Sequence, residues 1–350
     1  MHEYAGSIHV HSTYSDGSGT VEEIASAAQK ACLDFVMITD HETLHGLFEE
    51  KDGWYKNTLV LIDTELNRED HHYLAFNLKE EISARGLTPQ ELIDRVNQLG
   101  GIGFIAHPFE KGAAMILNGK NYPWTSWHVR GFNGIEIWNY TSQCRDGAAN
   151  LFKLYWSAFF KGNANVNRPD PKALKKWDQL LSDSQRVLAI GGTDAHAIKV
   201  KRGPFRFVLF PYQFLFNTIN THLLSPLEFT GKKEVDQNIV YSALQAGHFF
   251  TANNKVYPPR GFSFTAENQN EQVIQGDSIK NNKNTVLAVK SPTARSLIRI
   301  IKDGKVVSES SSNRLCFKVL GKGSFRVEVY YRPHLRRMRP WIYSNPIFVE

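Results

Sequence analysis

Thiols are scarce in this chain of 350 residues, which holds three cysteines, Cys32, Cys144 and Cys316. They are odd in number, lie far apart and form no Cys-x-x-Cys pair. This pattern argues against a disulfide framework and against a structural zinc site built from thiolates. It is typical of a protein from a reducing compartment.

Long apolar runs are also lacking. No stretch reaches the roughly 18 apolar residues that read as a membrane-spanning helix, and the N-terminus soon enters a polar, His-containing segment without the apolar region of a signal peptide. We therefore expect a cytoplasmic protein that makes no contact with a membrane.

Neither sign of charge dominates the whole chain, but residues 258–350 hold 16 Lys and Arg against 7 Asp and Glu. A basic segment can attract nucleic acid, anionic lipid or an acidic protein surface. This one shows no recognised nucleic-acid-binding motif. We interpret it as a solvated or packing surface and do not favour nucleic acid as a partner. The oligomeric state is left open.

Short apolar runs alternate with helical patterns through residue 200. Two helices are predicted to begin at capping boxes, Thr20 with Glu23 and Thr88 with Glu91. Because strands separated by helices pair in parallel, we expect residues 1–257 to form a distorted β/α barrel. The predicted strands, each rich in branched or aromatic residues, are Ser7–Val10, Phe35–Thr39, Leu59–Thr64, Ile102–Ala106, Gly134–Trp138 and Val187–Gly191.

The pattern changes from Gly261 onward, where apolar and polar residues alternate without helical periodicity. Turn signals such as Asp303-Gly304 separate the segments, and Pro258-Pro259 marks the boundary. We expect residues 258–350 to form a small all-β sandwich domain. Its predicted strands are Gly261–Phe264, Thr285–Val289, Leu297–Ile301, Leu315–Val319 and Phe325–Tyr331.

Potential metal ligands stand at the ends of the predicted barrel strands, and a barrel carries its active site at the carboxyl ends of its strands. A single His or Asp at such a position is more often a loop or cap residue. The recurrence at several strands is what predicts a site. In chain order these residues are His9 and His11, Asp40 and His41, Glu65, His107, and Asp194 and His196.

The predicted ligands are nitrogen and carboxylate oxygen atoms without thiolate, a set that suits Zn, Mn or Fe(II). They are too many for the coordination shell of one ion. We therefore expect two or three divalent ions, with a carboxylate bridging them.

The sequence also resembles the PHP (polymerase and histidinol phosphatase) family. Five motifs occur in the family's order over about residues 6–200: His9-Val-His11-Ser-Thr-Tyr-Ser-Asp16, Ile38-Thr-Asp-His41, Glu65, Ala106-His-Pro108 and Gly192-Thr-Asp-Ala-His196. The resemblance implies a barrel of seven strands, a trinuclear metal site and phosphoesterase chemistry.

The resemblance also implies how the ligands divide among three ions. The first would take His9, His11, Glu65 and Asp194. The second would share Glu65 and add His107 and one His from the segment after Glu65. At this position His72 matches the family's motif better than His71. The third would take Asp16, His41 and His196.

The function expected from these motifs is hydrolysis of a small phosphomonoester or a nucleotide by a hydroxide that bridges metal ions, with Asp16, His41 and Glu65 as catalytic residues. Lys111, Arg145 and Arg202 follow ligand-bearing strands and are candidates to bind the phosphate, although each could be a solvent-facing charge. Glu136 is an outer ligand, a substrate contact, or a carboxylate held by a neighbouring base. Asp40 is a partner that orients an imidazole or a turn residue.

Two alternatives stay open. The same metal site could hydrolyse a carbamate, ester or amide, since a carbaryl-hydrolase-like branch shares the opening motif. The chain could instead be an idle scaffold whose β domain does the binding. The completeness of the ligand set argues against the scaffold, because clustered imidazoles and carboxylates compete with one another when no metal is bound.

Overall fold

The computed structural model describes residues 1–68, 71–112, 121–146, 166–282, 284–334 and 337–350; at residues 67, 68, 202 and 205 the description covers the backbone alone. The chain is a mixed α/β protein with one large sheet and few helices. The described helices are α1 Val21–Lys30, α2 His45–Phe48, α3 Pro89–Gln98, α4 Tyr140–Asp146, α5 Pro171–Ser182, α6 Tyr212–Phe216 and α7 Lys233–Ala246.

The first twelve strands lie within residues 1–257, and the other ten lie within residues 258–350. The first group is β1 His2–Ser7, β2 Phe35–His41, β3 Gly53–Tyr55, β4 Thr58–Arg68, β5 His71–Phe76, β6 Ile102–Ile105, β7 Gly134–Asn139, β8 Leu188–Gly192, β9 Ile198–Arg202, β10 Phe205–Leu209, β11 Ile219–Ser225 and β12 Phe249–Asn253. The second is β13 Ser263–Glu267, β14 Gln272–Ile274, β15 Ser278–Ile279, β16 Val286–Lys290, β17 Ser296–Lys302, β18 Lys305–Ser310, β19 Arg314–Lys318, β20 Gly323–Tyr331, β21 Arg339–Ser344 and β22 Ile347–Val349.

Both predicted capping boxes are confirmed. The Thr20 hydroxyl accepts from the Glu23 amide while the Glu23 carboxylate accepts from the Thr20 amide, and Thr88 and Glu91 repeat this reciprocal pair. These bonds satisfy backbone groups that a helix start leaves without partners. The apolar residues of both helices then face the sheet, where they join its larger core cluster.

Seven strands of the large sheet position the site residues, in the order β1-β2-β4-β5-β6-β7-β8. All pairs in this run are parallel except the two that involve β5, which is antiparallel to both neighbours. Strand β5 was not among the predicted strands. Only two residues separate it from β4, too few for the crossover connection that parallel strands need.

The first strand was also predicted wrongly. The expected strand Ser7–Val10 ends at Ser7, because His9 takes a left-handed backbone conformation with φ of 67°. The segment nevertheless stays beside the end of β8. The amide of Thr193 donates to the carbonyl of Ile8 at 3.3 Å, and that of His11 donates to the carbonyl of Ala195 at 2.9 Å. The two ends of the seven-strand run are thus joined by hydrogen bonds.

Core residues cover both faces of these strands. On one face the strands pack with α1, α3 and α5, and on the other with α7, whose Val240 and Leu244 join Phe35, Leu61 and Phe104. Strands buried on both faces read as continuous apolar runs. This explains why they could be predicted from the sequence.

The C-terminal strands continue the same large sheet, because β12 pairs with β21. A separate four-stranded sheet, β14-β13-β16-β19, packs over this extension around a cluster that includes Phe264, Leu287, Ile300 and Trp341. All five predicted strands occur here within a few residues of their expected limits. A boundary at residue 258 stays a prediction, since hydrogen bonds cross it.

A buried ion-pair network also ties the C-terminal strands to the N-terminal part. The guanidinium of Arg326 on β20 donates to both carboxylate oxygens of Asp178 on α5, at 2.7 and 2.9 Å, and to Glu328 at 2.7 Å. Its planar group lies over the ring of Trp177. The charge is desolvated and fully paired.

We predict that Arg326→Ala lowers the free energy of unfolding by about 3–5 kcal/mol, because the buried Glu328 and the partly buried Asp178 carboxylates lose their cation. Chemical denaturation of the full chain measures the change. Arg95→Ala is the matched control, since it breaks the exposed pair with Glu80 and should cost no more than about 1 kcal/mol. Equal effects of the two substitutions would contradict the prediction.

Asp63 on β4 gives a pH-dependent prediction. Burial raises the pKa of its carboxyl to about 7, although the Asn77 amide and the Tyr241 hydroxyl donate to it. The folded protein therefore holds this proton at pH values where the unfolded chain has lost it, and the associated stability disappears as pH rises from about 4 to about 7.

We expect Asp63→Asn to raise the melting temperature relative to the parent chain, by a margin that grows from about pH 4 to about pH 7 and then stays constant. Asp94→Asn, on an exposed face of α3, serves as the control and should show no such trend. A margin independent of pH would refute the assignment.

Candidate metal centre

The centre is organised around the carboxylate of Glu65, which is 1% exposed. Its Oε2 lies 3.2 Å from His9 Nε2 and 3.3 Å from both His11 Nε2 and His41 Nδ1. Its Oε1 lies 3.0 Å from His72 Nδ1 and 3.2 Å from His107 Nε2. Each carboxylate oxygen therefore faces its own set of imidazoles.

Strand pairing places these imidazoles. In the parallel pair of β2 and β4, His41 is the direct partner of Glu65. In the antiparallel pair of β4 and β5, Leu74 is opposite Glu65, so His72 lies two residues further along on the same face. Glu65 lies within β4 and not beyond its end, because the strand continues to Arg68.

A second group surrounds Asp16, whose side chain is 58% exposed. Its Oδ1 lies 3.2 Å from His196 Nε2 and 3.7 Å from both His11 Nδ1 and His41 Nε2. This is the solvent-facing side of the centre, whereas Glu65 forms its buried floor.

Asp194 links the two sides. Its Oδ1 lies 3.5 Å from Nε2 of both His9 and His11 and 3.4 Å from His196 Nδ1. All nine sequence-predicted ligands thus come together, in four overlapping groups whose ligand atoms lie within 4.8 Å of one another: His11, Asp16, His41 and His196; His9, His107 and Asp194; His9, His11 and Glu65; and Glu65, His72 and His107.

The backbone is strained at three of these residues. His9, His107 and Asp194 have φ values of 67°, 23° and 51°, a region that residues other than glycine seldom adopt. Each such residue costs of the order of 1–3 kcal/mol and persists where the surroundings over-determine it. The left-handed turn at His9, and not the extended strand predicted for Ser7–Val10, aims the rings of His9 and His11.

The residues fit divalent metal ions. Neither ring nitrogen of His11 has a hydrogen-bond partner among the described residues, although the side chain is fully buried. Nδ1 of His41 and Nδ1 of His107 also lack a partner there. A buried imidazole without partners is costly. Two ligand atoms that each lie about 2.1 Å from the same ion are about 3.0–3.4 Å apart. The imidazole nitrogens lie at this spacing from the carboxylate oxygens of Glu65.

Electrostatics couple the cluster. Burial alone would raise the pKa of the Glu65 carboxyl, but the imidazoles of His9, His72 and His41 hold this pKa well below its usual range. Burial opposes a charged His11, yet the nearby Asp194 and Glu65 carboxylates raise the pKa of His11 to about 9. For His41 burial prevails and lowers the pKa to about 4. Without metal, the cluster therefore holds protons on some imidazoles and not on others.

Glu136 contacts two of the predicted ligands, His9 and His107. It is buried, with Oε1 3.1 Å from His9 Nδ1, while Oε2 accepts from the His107 amide and from Asn139 Nδ2, both at 2.9 Å. These contacts are all to groups of the protein, and a substrate contact stays a prediction. Among the roles considered for Glu136, its contacts match that of a carboxylate held by a neighbouring base.

Asp40 supports the loop that carries Asp16 and orients no imidazole. Its carboxylate accepts from the Ser12 amide at 2.8 Å and from the hydroxyls of Ser12 and Ser15, both at 2.5 Å. The Tyr212 hydroxyl fixes the far side of the same region, 2.7 Å from the His11 carbonyl and 3.2 Å from that of His196.

The predicted phosphate-binding residues differ in their surroundings. Arg145 is largely buried and forms an ion pair with Glu110. Lys111 is exposed, and its described bonds are made by its backbone: the amide donates to Asp146, and the carbonyl accepts from Asn121 Nδ2. The side chain of Arg202 lies outside the described residues. His71 points away from the cluster, with Nε2 2.8 Å from the Thr125 hydroxyl.

Several site residues were missed by the sequence analysis: Glu110, Tyr122, Asn139 and Tyr212. Glu110 follows His107 by three residues on a turn, which is a usable signal for a carboxylate near a ligand. Tyr122 stacks on His72 with ring centroids 4.2 Å apart. It and Tyr212 are brought in from distant positions, and no sequence pattern marks them.

A family profile described as the PHP domain matches residues 7–90. The uncharacterized protein MJ1587 of Methanocaldococcus jannaschii is 31% identical over 160 residues, which is 42% of this chain and 87% of that protein.

Two solved structures are also similar to this chain. One is a two-domain protein from Bacteroides vulgatus that contains a predicted PHP-like metal-dependent phosphoesterase: it is 13% identical, with a TM-score of 0.46 over 99% of this chain and 95% of that chain. The other is a protein from Bifidobacterium adolescentis, whose metal-dependent phosphoesterase activity is inferred: it is 19% identical, with a TM-score of 0.34 over 55% of this chain and 87% of that chain.

In the part of the chain that the structure describes, no helix has the length and apolar character needed to cross a bilayer.

We predict that metal binding releases protons at neutral pH. A pKa of about 9 keeps His11 protonated at pH 7, and an imidazole must lose that proton to bind metal. Calorimetric titration of the metal-free protein with Mn²⁺ in two buffers of different ionisation enthalpy measures the release, which should fall as the pH approaches about 10. His71→Ala should leave it unchanged, and binding without release at pH 7 would contradict the prediction.

Proposed function

The chain belongs to the PHP domain family, and on that premise we propose that it is a metal-dependent phosphoesterase that hydrolyses a small phosphomonoester or nucleotide. One observation carries this proposal: the buried Glu65 carboxylate has three imidazoles around one oxygen and two around the other. A carboxylate surrounded in this way is suited to bridge metal ions.

The proposed ligand assignment uses three ions. His9, His11, Glu65 and Asp194 would hold the first; Glu65, His72 and His107 the second; and Asp16, His41 and His196 the third. Two of the ligand groups fall within this division, namely His9, His11 and Glu65, and Glu65, His72 and His107; a third group adds His11 to Asp16, His41 and His196. When bound, such ions supply Lewis acidity towards a phosphoryl group and lower the pKa of a coordinated water from about 15.7 to about 7.

The protein's own residues would then position the substrate and manage its charge. Arg145 is the cation best placed for the phosphate: burial lowers its pKa, but the nearby Asp194 carboxylate favours its charged form. Its Nε is buried without a hydrogen-bond partner among the described residues. One edge of the guanidinium is held by Glu110, and this other donor is left for an anion.

Substrate would enter on the side of Asp16, the most exposed member of the cluster. We assign to Asp16 and His41 the handling of the leaving group's proton, and to Glu65 the bridging role. Burial raises the pKa of Asp16, but the imidazoles of His196, His11 and His41 outweigh this and lower it far below its usual value. Asp16 is therefore ionised and fit to bind a cation.

The proposal includes the architecture. The seven strands from β1 to β8, without β3, would form a distorted barrel, supported by the hydrogen bonds that join residues 8–11 to the segment after β8. Residues 258–350 would form a β-sandwich, supported by the second core cluster between the two C-terminal sheets.

An assay with purified protein tests the function. Loaded with Mn²⁺ or Zn²⁺, the protein should hydrolyse p-nitrophenyl phosphate and show no comparable turnover of aryl carbamates, esters or amides. Turnover of those substrates alone would refute the phosphoesterase. Less than one equivalent of bound metal after loading would favour the scaffold alternative instead.

The adjacent residues His71 and His72 offer a matched pair of variants. We predict that His72→Ala removes about one ion from the loaded protein and lowers kcat/KM by roughly 100-fold or more, because a ligand facing Glu65 is lost. His71→Ala should keep the full metal content and most of the activity. Metal analysis and initial rates measure both, and the reverse ranking would overturn the assignment.

A further inference from the structure

Glu110 is a buried carboxylate on the turn after β6, and the metal assignment gives it no part. Its Oε1 accepts from the Ser142 hydroxyl at 2.5 Å and forms the ion pair with Arg145. Its Oε2 accepts from the Tyr122 amide at 3.0 Å and lies 3.9 Å from His107 Nδ1. One side chain thus touches or approaches four groups around the centre.

Three of these groups belong to different parts of the proposed site. His107 presents its other nitrogen to Glu65. Tyr122 covers the ligand His72, with its ring at 25° to the imidazole plane. Arg145 is the cation proposed for the phosphate. Movement of the Glu110 carboxylate would therefore displace a metal ligand, the cover of a second ligand and the anion-binding group together.

We propose that Glu110 is a positioning residue that fixes the orientation of His107 through one bridging water and holds Arg145 at the substrate phosphate. The part that concerns Arg145 rests on the proposed function. The part that concerns His107 requires only that the cluster binds metal.

The gap between Glu110 and His107 has the dimensions of a water-mediated contact. A distance of 3.9 Å is too long for a direct hydrogen bond. A cavity of about 20 Å³ is lined by His107, Glu110, Ser142 and Gln143, and one water needs about 10–15 Å³ with two or more polar partners. Gln143 Oε1 supplies a further partner, since no described residue hydrogen-bonds to it.

Such a contact has a defined chemical effect. When Nδ1 of His107 donates to an acceptor, its proton is fixed there and Nε2 keeps its lone pair for a metal ion. Outer carboxylates of this kind typically change metal affinity by about 10–100-fold. A buried ion pair that was only structural would change stability and leave the metal and the substrate unaffected.

Glu110→Gln separates these possibilities, because it keeps the size of the side chain and an acceptor for the Tyr122 amide but removes the charge. We expect the affinity for one of the bound Co²⁺ ions to fall about 10–100-fold, with a change in the visible spectrum of the Co²⁺-loaded protein. The KM for p-nitrophenyl phosphate should rise more than kcat falls, because Arg145 loses its anchor.

Asp52→Asn is the matched control. Asp52 is also a buried carboxylate paired with a cation, Lys233 at 2.7 Å, but its partners lie on α7, away from the metal cluster. This variant should lose stability while it keeps the parent Co²⁺ spectrum and KM. If Glu110→Gln shows the same behaviour, the positioning role is overturned.

Two further outcomes keep the test decisive. If the parent protein binds Co²⁺ but hydrolyses no phosphate ester, the proposed function fails, while the affinity and the spectrum still decide the role of Glu110 at His107. If Glu110→Gln does not fold, NMR of the parent protein with ¹⁵N-labelled histidine takes its place. A slowly exchanging proton on His107 Nδ1 would support the proposal, and a rapidly exchanging or absent one would overturn it.

Discussion

The structure depends on one constraint: a buried carboxylate, Glu65, must stay ionised inside the protein. Five imidazoles from four separate segments lie 3.0–3.3 Å from its two oxygens. A buried charge without compensation is prohibitively costly, so each contributing strand must deliver its ring to within a few tenths of an ångström. The left-handed backbone at His9 and His107 follows from this demand.

The same constraint extends outward to residues that bind no metal themselves. Glu136 holds the ring of His9 and the backbone of His107, while Asp40 fixes the loop that carries Asp16. Gly192 shows how little space remains, because a Cβ there would lie 2.2 Å from Glu136 Oε1. Further away, the pairing of β12 with β21 and the buried charges of Arg326 fasten the C-terminal strands to this frame.

Local features of the fold could be predicted because local chemistry fixes them. The capping boxes at Thr20 and Thr88 need only four consecutive residues, and the strands buried on both faces appear as apolar runs. The Asp303-Gly304 turn occurs as predicted, with both residues at positive φ. The antiparallel β5, the strands β11 and β12 and the continuity of the large sheet were not predicted. They depend on which strands become neighbours, and no local pattern encodes that choice.

The sequence by itself determined the chemical nature of the site, because it fixes which side chains recur at the strand ends. They are imidazoles and carboxylates, without thiolates. Only the tertiary structure decided how these groups are shared. His71 and His72 are adjacent in sequence, but successive residues of a strand face opposite sides, so one meets Glu65 and the other Thr125. The positions of Glu110, Glu136 and Arg145 were decided in the same way, since contacts between distant segments exist only after the chain has folded.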